Sequence, residues 1–582
     1  MATTHMNSST ASMQQAERRW SYASGTSEIP LLGLTIGDLL DQTVDRYPDR
    51  LACIARHQGI RWTYREFQTQ INQCAKGLMQ LGLQKGQRAG IWSPNRIEWV
   101  VTQFAAAKIG VILVSINPAY RLHELEYALT QSGCTALLIG PAFKTSNYTQ
   151  MINDLAPELA TCEAGALKAA RLPQLTTIIR FGDDRWPGMY TWGDLLKLGK
   201  QVSDEQLATR QREQEFDDPA SIMYTSGTTG APKGATLSHH NMVNNGYFTG
   251  RLQKFTHEDR VCIPVPLYHI FGTVIANLGC VTHGATMIYS SEVFEPLTVL
   301  QTVHEEKCTV LMGVPTMFIA LLDHPDFARY DLSTLRTGVM GGAPCPVEVM
   351  KKVKTLMHME EITICFGMTE TSPVSTQTHI DAPFEKQVGT VGQAHPHVEI
   401  KVIDPSTGRV VPIGEPGEVC TRGYSVMLGY WDNRIATMEA IDQARWMHTG
   451  DQGMMDAEGY LNIVGRIKDM IIRGGENIYP REIEELLYTH PGVSDVQVIG
   501  VPDAKYGEEV MAWVKLKPGV SLTEEGLKAF CQGKITHFKI PRYFKFVDAF
   551  PMTVTGKIQK FIMRKQAIEE LGLQQAASIK TA

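Results

Sequence analysis

The sequence predicts an α/β protein whose larger part is built on mostly parallel sheets. Helical and strand-like segments alternate from about residue 35 to residue 139, and again beyond residue 234. The strand candidates there are short apolar runs, the pattern of strands buried on both faces. A stretch punctuated by Pro and Gly between Asp404 and Gly417 breaks the alternation. After Gly465-Arg466 comes a separate segment of about 115 residues, enough for one small domain.

Taken in order, residues 1–20 are polar, rich in Ser, Thr and Met, and expected to be a disordered tail. They lack the apolar stretch of a secretory signal, and Arg18-Arg19 after an acid-poor start only faintly resembles an organellar leader. A cytoplasmic location is therefore expected, with the mitochondrial matrix as the alternative. Thr35 to Tyr47 has the spacing of an amphipathic helix. Gly90-Ile91-Trp92, Val111 to Val114 and Ser221 to Tyr224 read as strands. Val261 to Pro266, Ala285 to Tyr289 and Val310-Leu311-Met312 continue the series. The turn residues of 404–417 predict a change to antiparallel hairpins. In the last segment, Pro480 to Tyr488 should be a helix, with Pro at its first position and Glu482, Glu484 and Glu485 in the early turns. Val496 to Val501 and Met511 to Leu516 are its strands.

Composition narrows the class. A chain of 582 residues with 43% hydrophobic and 20% charged residues is ordinary for a globular enzyme of more than one domain. The net charge of −6 argues against nucleic-acid binding. No apolar run reaches the ~18 residues that span a bilayer, so stable membrane insertion is not expected. The eleven cysteines form no CxxC pair and several lie in apolar runs, which points to free thiols in a reducing compartment.

The segment Tyr224-Thr225-Ser226-Gly227-Thr228-Thr229-Gly230-Ala231-Pro232-Lys233-Gly234 concentrates hydroxyls, glycines and one lysine directly after a strand. Such a loop can wrap a polyphosphate: glycines let backbone N–H groups approach, hydroxyls donate, and lysine adds charge. A Walker loop requires Gly-Lys followed by Ser or Thr, whereas here Pro232 precedes Lys233 and Gly234 follows it. The GxGxxG dinucleotide fingerprint is not matched either. An ATPase or kinase remains a rival at this point, separable by whether the product is ADP or AMP with pyrophosphate.

Four further signatures follow in order. They are Phe366-Gly367-Met368-Thr369-Glu370, Thr449-Gly450-Asp451, Gly465-Arg466-Ile467-Lys468-Asp469 and Pro551-Met552-Thr553-Val554-Thr555-Gly556-Lys557. With the phosphate loop they resemble the adenylate-forming (AMP-binding) acyl-CoA synthetase family over nearly the whole chain. Val114 to Tyr120 and Asp469 to Pro480 are similar to its medium-chain branch, acyl-CoA synthetase family member 2. Two positions depart from the pattern: Phe366 stands where Tyr is commoner, and Met368 where Thr is frequent.

The resemblance implies a large N-terminal adenylate-forming domain over residues 21–466, made of two α/β layered subdomains and a small β-barrel-like one. A small mobile α+β domain over residues 467–582 follows, hinged at Lys468. It implies ATP, Mg²⁺ and coenzyme A as reactants beside a small carboxylic acid, and leaves a homodimer open. Lys557 would reach the carboxylate and the α-phosphate, aided by Thr369 and His269. Thr225, Ser226, Gly227, Thr228, Thr229, Gly230 and Lys233 would hold the phosphates, with Glu370 and Thr225 at the metal. Gly342, Ala343, Pro344, Phe366 and Gly367 would enclose adenine, and Asp451 with Arg466 the ribose. Arg473, Gly474 and Gly475 would face the CoA tunnel. His269, Gly313, Thr316, Gly338, Met340 and Val374 would line the acyl pocket. The resemblance to that branch implies that a fatty acid of medium length, or alternatively an aryl or other non-fatty acid, is joined to CoA through an acyl-adenylate.

Overall fold

Two large sheets, of nine and eight strands, form the framework of the chain between Leu51 and Tyr430, and their parallel centres explain why the strands read as continuous apolar runs. The fold is described here from a computed structural model covering residues 19–225, 232–474, 476–554 and 556–577. The nine-stranded sheet has a six-stranded parallel centre: Glu361–Gly367, Thr337–Gly341, Val310–Gly313, Arg260–Cys262, Thr286–Tyr289 and Leu51–Ala55. Antiparallel strands close both edges. The eight-stranded sheet is parallel from Tyr190–Thr191 through Cys134–Ile139, Arg88–Trp92 and Ile112–Ile116 to Pro219–Thr225. It ends with the antiparallel strands Lys233–Ser238 and Gly429–Tyr430.

A single apolar cluster joins the two sheets through the helices Ile36–Arg46, Tyr64–Gln80, Ile97–Lys108 and His239–Leu252. Helix Ile36–Arg46 begins where Thr35 accepts the Asp38 N–H at 3.1 Å, a side-chain cap for an otherwise orphan donor. Every residue of Ile97–Lys108 is buried, so its two charges must be paired. Glu98 takes Arg96 and Gln58, and Lys108 takes Asp41 at 2.6 Å and Asn72 at 2.9 Å.

The expected strand Val261 to Pro266 is shorter, Arg260–Cys262. Ile263 still donates to Ile288 at 2.8 Å, but Pro264 and Pro266 have no N–H and the ladder ends there. The antiparallel change lies around residues 404–417, which link Val398–Ile403 to Gly417–Gly423 in a five-stranded sheet with Tyr22–Ser24, Met447–Met455 and Leu461–Arg466.

Beyond residue 470 the strands Glu476–Ile478, Ile471–Arg473, Gly507–Leu516 and Val493–Asp503 form a separate sheet, with Tyr543–Phe546 beside Gly507–Leu516. Helix Pro480–Tyr488 covers it, and Ile483, Leu487, Val498, Val510 and Phe544 belong to a core cluster of its own. Among the described residues its polar links to the rest of the chain include Arg481 to the Cys345 carbonyl, Glu485 to the Val347 N–H, Ser494 to Asp323, Tyr479 to Gln452 and the Gly556 carbonyl to Thr316. All eleven cysteines are free thiols. Among the described residues no helix is long and apolar enough to cross a membrane.

Two fully buried histidines give the fold an acid limit. Burial pushes His239 down to about 4 and His395 down to about 3, so both are neutral in the native state. Unfolded, each titrates near 6.5. As pH falls below 6.5 the unfolded state takes up protons that the folded state refuses, and stability declines until the native pKa values are reached. Each group should contribute a loss of about 1.4 kcal/mol per pH unit in that window. Denaturation midpoints from pH 7 to 4.5 should show this slope, and His395→Gln, which keeps a polar group toward Gln377 and Tyr424, should make it shallower.

Candidate active site

The two sheets and the C-terminal unit converge where the motif residues meet. Thr225 ends its strand with its hydroxyl 3.3 Å from Glu370 Oε1 and 3.3 Å from the Lys233 carbonyl. Ser226, Gly227, Thr228, Thr229 and Gly230 lie outside the described residues, as does Gly475. Thr225 and Lys233 are register partners at the ends of two antiparallel strands. Lys233 Nζ lies 4.5 Å from the centre of the Tyr430 ring.

Glu370 is 4% exposed, and its Oε1 also accepts the Tyr430 hydroxyl at 2.8 Å. Burial and the neighbouring carboxylate raise the Tyr430 phenol, which therefore stays a donor. Tyr430 is thus a site residue that the motifs did not reveal: it stands 60 residues from Glu370 in sequence, in no pattern of its own. Thr369 opens the same short turn.

Phe366 and Gly367 occupy the end of strand Glu361–Gly367, where the register shifts against Val374. Phe366 is half-buried against the apolar cluster of the nine-stranded sheet. A Cβ on Gly367 would lie 1.8 Å from the Pro373 carbonyl oxygen. Gly367→Ala should therefore cost about 1–3 kcal/mol through forced backbone movement, visible as a lower urea midpoint together with weaker nucleotide binding. Gly342, Ala343 and Pro344 follow strand Thr337–Gly341, and an added Cβ at Gly342 would stand 3.8 Å from Lys557 Cε. That single distance brings the Gly342–Pro344 segment and the C-terminal lysine together across 215 residues.

Asp451 and Arg466 are direct partners in the antiparallel pair Met447–Met455 and Leu461–Arg466, with Arg466 Nε 3.1 Å from Asp451 Oδ1. Burial raises the Asp451 carboxyl, and the charges of Arg466 and Lys557 oppose that rise. Lys557 is lowered from the ordinary lysine value, first by burial, then by Arg466, while Glu370 and Asp451 pull it back up. Four charges from four different segments thus face one another. Lys468, on the turn Ile467–Asp469, is likewise lowered by burial and by Arg466.

The loop carrying Lys557 is folded tightly: Thr553 N–H donates to the Lys557 carbonyl at 2.8 Å, and Lys557 N–H donates to Thr553 Oγ1 at 3.1 Å. Gly556 has φ +78°, and a Cβ there would lie 2.9 Å from Thr316 Oγ1 and 3.0 Å from Val314 Cγ2. Only glycine allows this approach, in which the Thr316 hydroxyl donates to the Gly556 carbonyl at 3.3 Å. Thr316, assigned from the sequence to the acyl pocket, thus hydrogen-bonds the loop that carries Lys557.

His269 precedes a π-helical stretch, Phe271–Leu278, a local irregularity common at functional sites. Its Nδ1 accepts the Phe271 N–H at 3.2 Å, which leaves the neutral ring with its proton on Nε2. Desolvation, and then the Lys557 charge, pushes the imidazole down to about 3. His269 is a neutral donor at any working pH. Gly313, Gly338 and Met340 lie on neighbouring strands of the nine-stranded sheet, and Val374 begins its edge strand. The Met340 side chain packs into the core cluster with Met350 and Ile362. A cleft of about 1090 Å³ opens between the large domain and the C-terminal unit, running past Pro266 and Thr316 to Val554 and Gly556.

Arg473 does not reach this centre through its guanidinium. It makes a bidentate pair with Glu509 at 2.8 and 2.9 Å and stacks at 4.3 Å on Tyr506. Gly474 follows it, donating to the Tyr506 carbonyl at 2.8 Å.

Comparison with known proteins agrees with this architecture. The AMP-binding enzyme family model matches residues 40–431, and the AMP-binding enzyme C-terminal domain model matches residues 482–557. A putative acyl-CoA synthetase of Bacillus subtilis (strain 168) is 52% identical over 543 residues, covering 93% of this chain and 99% of the relative. A mitochondrial medium-chain acyl-CoA ligase of Danio rerio is 46% identical, covering 95% and 91%. Among solved structures, an anthranilate CoA ligase in complex with anthranoyl-AMP superposes with a TM-score of 0.83 at 27% identity, covering 94% of this chain and 99% of the other. ATP-bound MatB from Rhodopseudomonas palustris gives 0.79 at 30% identity, with 92% and 99% covered. The chain belongs to the AMP-binding, adenylate-forming enzyme family and is an AMP-forming acid–CoA ligase.

Proposed function

We propose that the protein activates a fatty acid of medium chain length in two steps, first to the acyl-adenylate with release of pyrophosphate, then to the thioester with release of AMP. The observation that carries this reading is the position of Lys557 beside Gly342 and within the field of Arg466, Glu370 and Asp451. A carboxylate is a poor acyl donor because oxide would be its leaving group. Joined to AMP, it departs from a stabilised phosphate instead. The first step concentrates negative charge between the carboxylate and the α-phosphorus, and a prepositioned cation offsets that charge most where water is excluded. Lys557 supplies the cation, Thr369 a hydroxyl donor, and neutral His269 an Nε2–H for the acyl oxygen. Asp451 accepts from the ribose hydroxyls and Arg466 keeps it ionised.

Glu370 and Thr225 would hold Mg²⁺ beside the phosphates. A buried carboxylate with adjoining hydroxyls is the hard oxygen donor set this ion takes, usually completed by water and phosphate oxygens. When bound, the ion neutralises phosphate charge. Thr225 and Tyr430 meanwhile orient the Glu370 carboxylate from the protein side.

The second step needs Lys557 withdrawn and a thiol admitted. The C-terminal unit has a core cluster of its own, so it can turn as a body about Lys468. The relatives of Danio rerio and Bacillus subtilis support a fatty acid, and the anthranilate ligase keeps an aryl acid as the second reading. Action in the cytoplasm accompanies this proposal, although the Danio rerio relative is mitochondrial.

The test is AMP and pyrophosphate release with purified protein, ATP, CoA and a panel of short, medium and long fatty acids plus benzoates. The highest kcat/KM should fall on medium-chain acids. A maximum on a benzoate transfers the assignment to the aryl reading, and ADP as the product overturns both.

A further inference from the structure

Next to the bulge at Thr449–Asp451 in strand Met447–Met455 lies a cluster of side chains that the ligase reaction does not use. Glu418 and Cys420 are two apart on strand Gly417–Gly423, where its register against Met447–Met455 shifts. Cys420 is the direct register partner of His448 on the neighbouring antiparallel strand. His448 Nδ1 lies 2.9 Å from Glu418 Oε2 and 3.7 Å from Cys420 Sγ. One ligand atom from each of the three residues falls within 4.8 Å of the others. On the far side of the ring, His448 Nε2 is 3.8 Å from Asp442 Oδ2. Cys420 is fully buried, whereas the His448 side chain is 30% exposed, so the cluster opens to solvent along one edge.

These distances suit a particular ion. Zn²⁺ binds thiolate, imidazole and carboxylate at about 2.0–2.3 Å in tetrahedral geometry, which sets its ligand atoms about 3.3–3.6 Å apart. The Sγ–Nδ1 separation is already close to that, and the Glu418–His448 contact needs to open by only a few tenths of an ångström. A mixed sulfur, nitrogen and oxygen set selects borderline-soft cations over Mg²⁺ and Ca²⁺. Asp442 stands where a carboxylate commonly orients a metal-bound histidine through its second nitrogen.

We propose that Glu418, Cys420 and His448 form a binding site for Zn²⁺ or a similar borderline-soft divalent cation, with the fourth position open to water. The ion replaces the protons of the thiol and of His448 Nδ1 and ties the strands Gly417–Gly423 and Met447–Met455 together. Glu418 Oε1 accepts the Gly450 N–H at 3.1 Å, so the same carboxylate links the site to the strand bulge that presents Asp451.

Full-length protein treated with chelator and titrated with Co²⁺ alone tests this. One equivalent should produce a thiolate-to-cobalt charge-transfer band and the visible intensity of a tetrahedral ion, both lost when Zn²⁺ is added. Cys420→Ser should abolish the charge-transfer band, and His448→Gln should weaken binding at least tenfold. Zn²⁺ should raise the thermal midpoint of the wild type more than that of either variant. Circular dichroism checks that the variants fold, and His448→Gln, at the exposed edge, serves if Cys420→Ser does not. A wild type without the thiolate band, or a band that survives both substitutions, overturns the site and leaves Glu418, Cys420 and His448 as a proton-held group that only steadies the bulge.

Discussion

Lys557→Ala should lower acid-dependent ATP–pyrophosphate exchange by about 10²–10³-fold or more, the usual effect of removing one prepositioned charge donor at a reacting centre. The same variant should still convert supplied acyl-AMP and CoA to thioester, because in the proposed scheme the second step proceeds with this lysine withdrawn. The geometry explains why no neighbour substitutes for it. Arg466 is engaged with Asp451 at 3.1 Å, and Lys233 lies over the Tyr430 ring. Lys557→Arg should recover little, since a broad planar fork cannot occupy the space of a compact ammonium beside Gly342. Isotope exchange between labelled pyrophosphate and ATP measures the first step and thioester formation from synthetic acyl-AMP the second. Exchange at the wild-type rate would overturn the role given to Lys557.

Gly474→Leu should show the opposite division, with pyrophosphate exchange near normal and thioester formation strongly reduced. A Cβ at this position already comes within 3.3 Å of Tyr506 Cδ1, and Tyr506 supports the Arg473 guanidinium at 4.3 Å. A leucine side chain must displace that stack or project toward the path proposed for the pantetheine arm. Gly474→Ala has the same backbone conformation with far less volume, so comparing the two separates crowding from local strain. If both variants make acyl-CoA from acyl-AMP at the wild-type rate, the tunnel lies elsewhere.

Much of the fold was legible because buried parallel strands and amphipathic helices leave periodic signals. Pro219–Thr225, Val310–Gly313 and the helix Pro480–Tyr488 appear close to where those signals place them. Where a local rule cut across the pattern, the reading failed: the apolar run from Val261 continued past the point at which Pro264 and Pro266 stop a ladder. The site was legible to the extent that its residues sit in compact motifs. Tyr430 escaped because nothing about an isolated tyrosine announces its contact with Glu370, and Thr316 was assigned a pocket role with no hint of its bond to Gly556.

By itself, the sequence determined the class of the fold, the exclusion of a Walker loop and the set of residues with the right chemistry, since these depend on spacing and side-chain type within short windows. The tertiary structure decided which of those residues meet. Lys557, Gly342, Glu370, Asp451 and Arg466 come from separate segments, and only the packing of two sheets against a separately folded C-terminal unit brings their charges together. Their ionisation was decided there as well. A lowered lysine, a raised aspartate and a neutral histidine follow from burial and mutual field, and neither is a property of the residues taken singly.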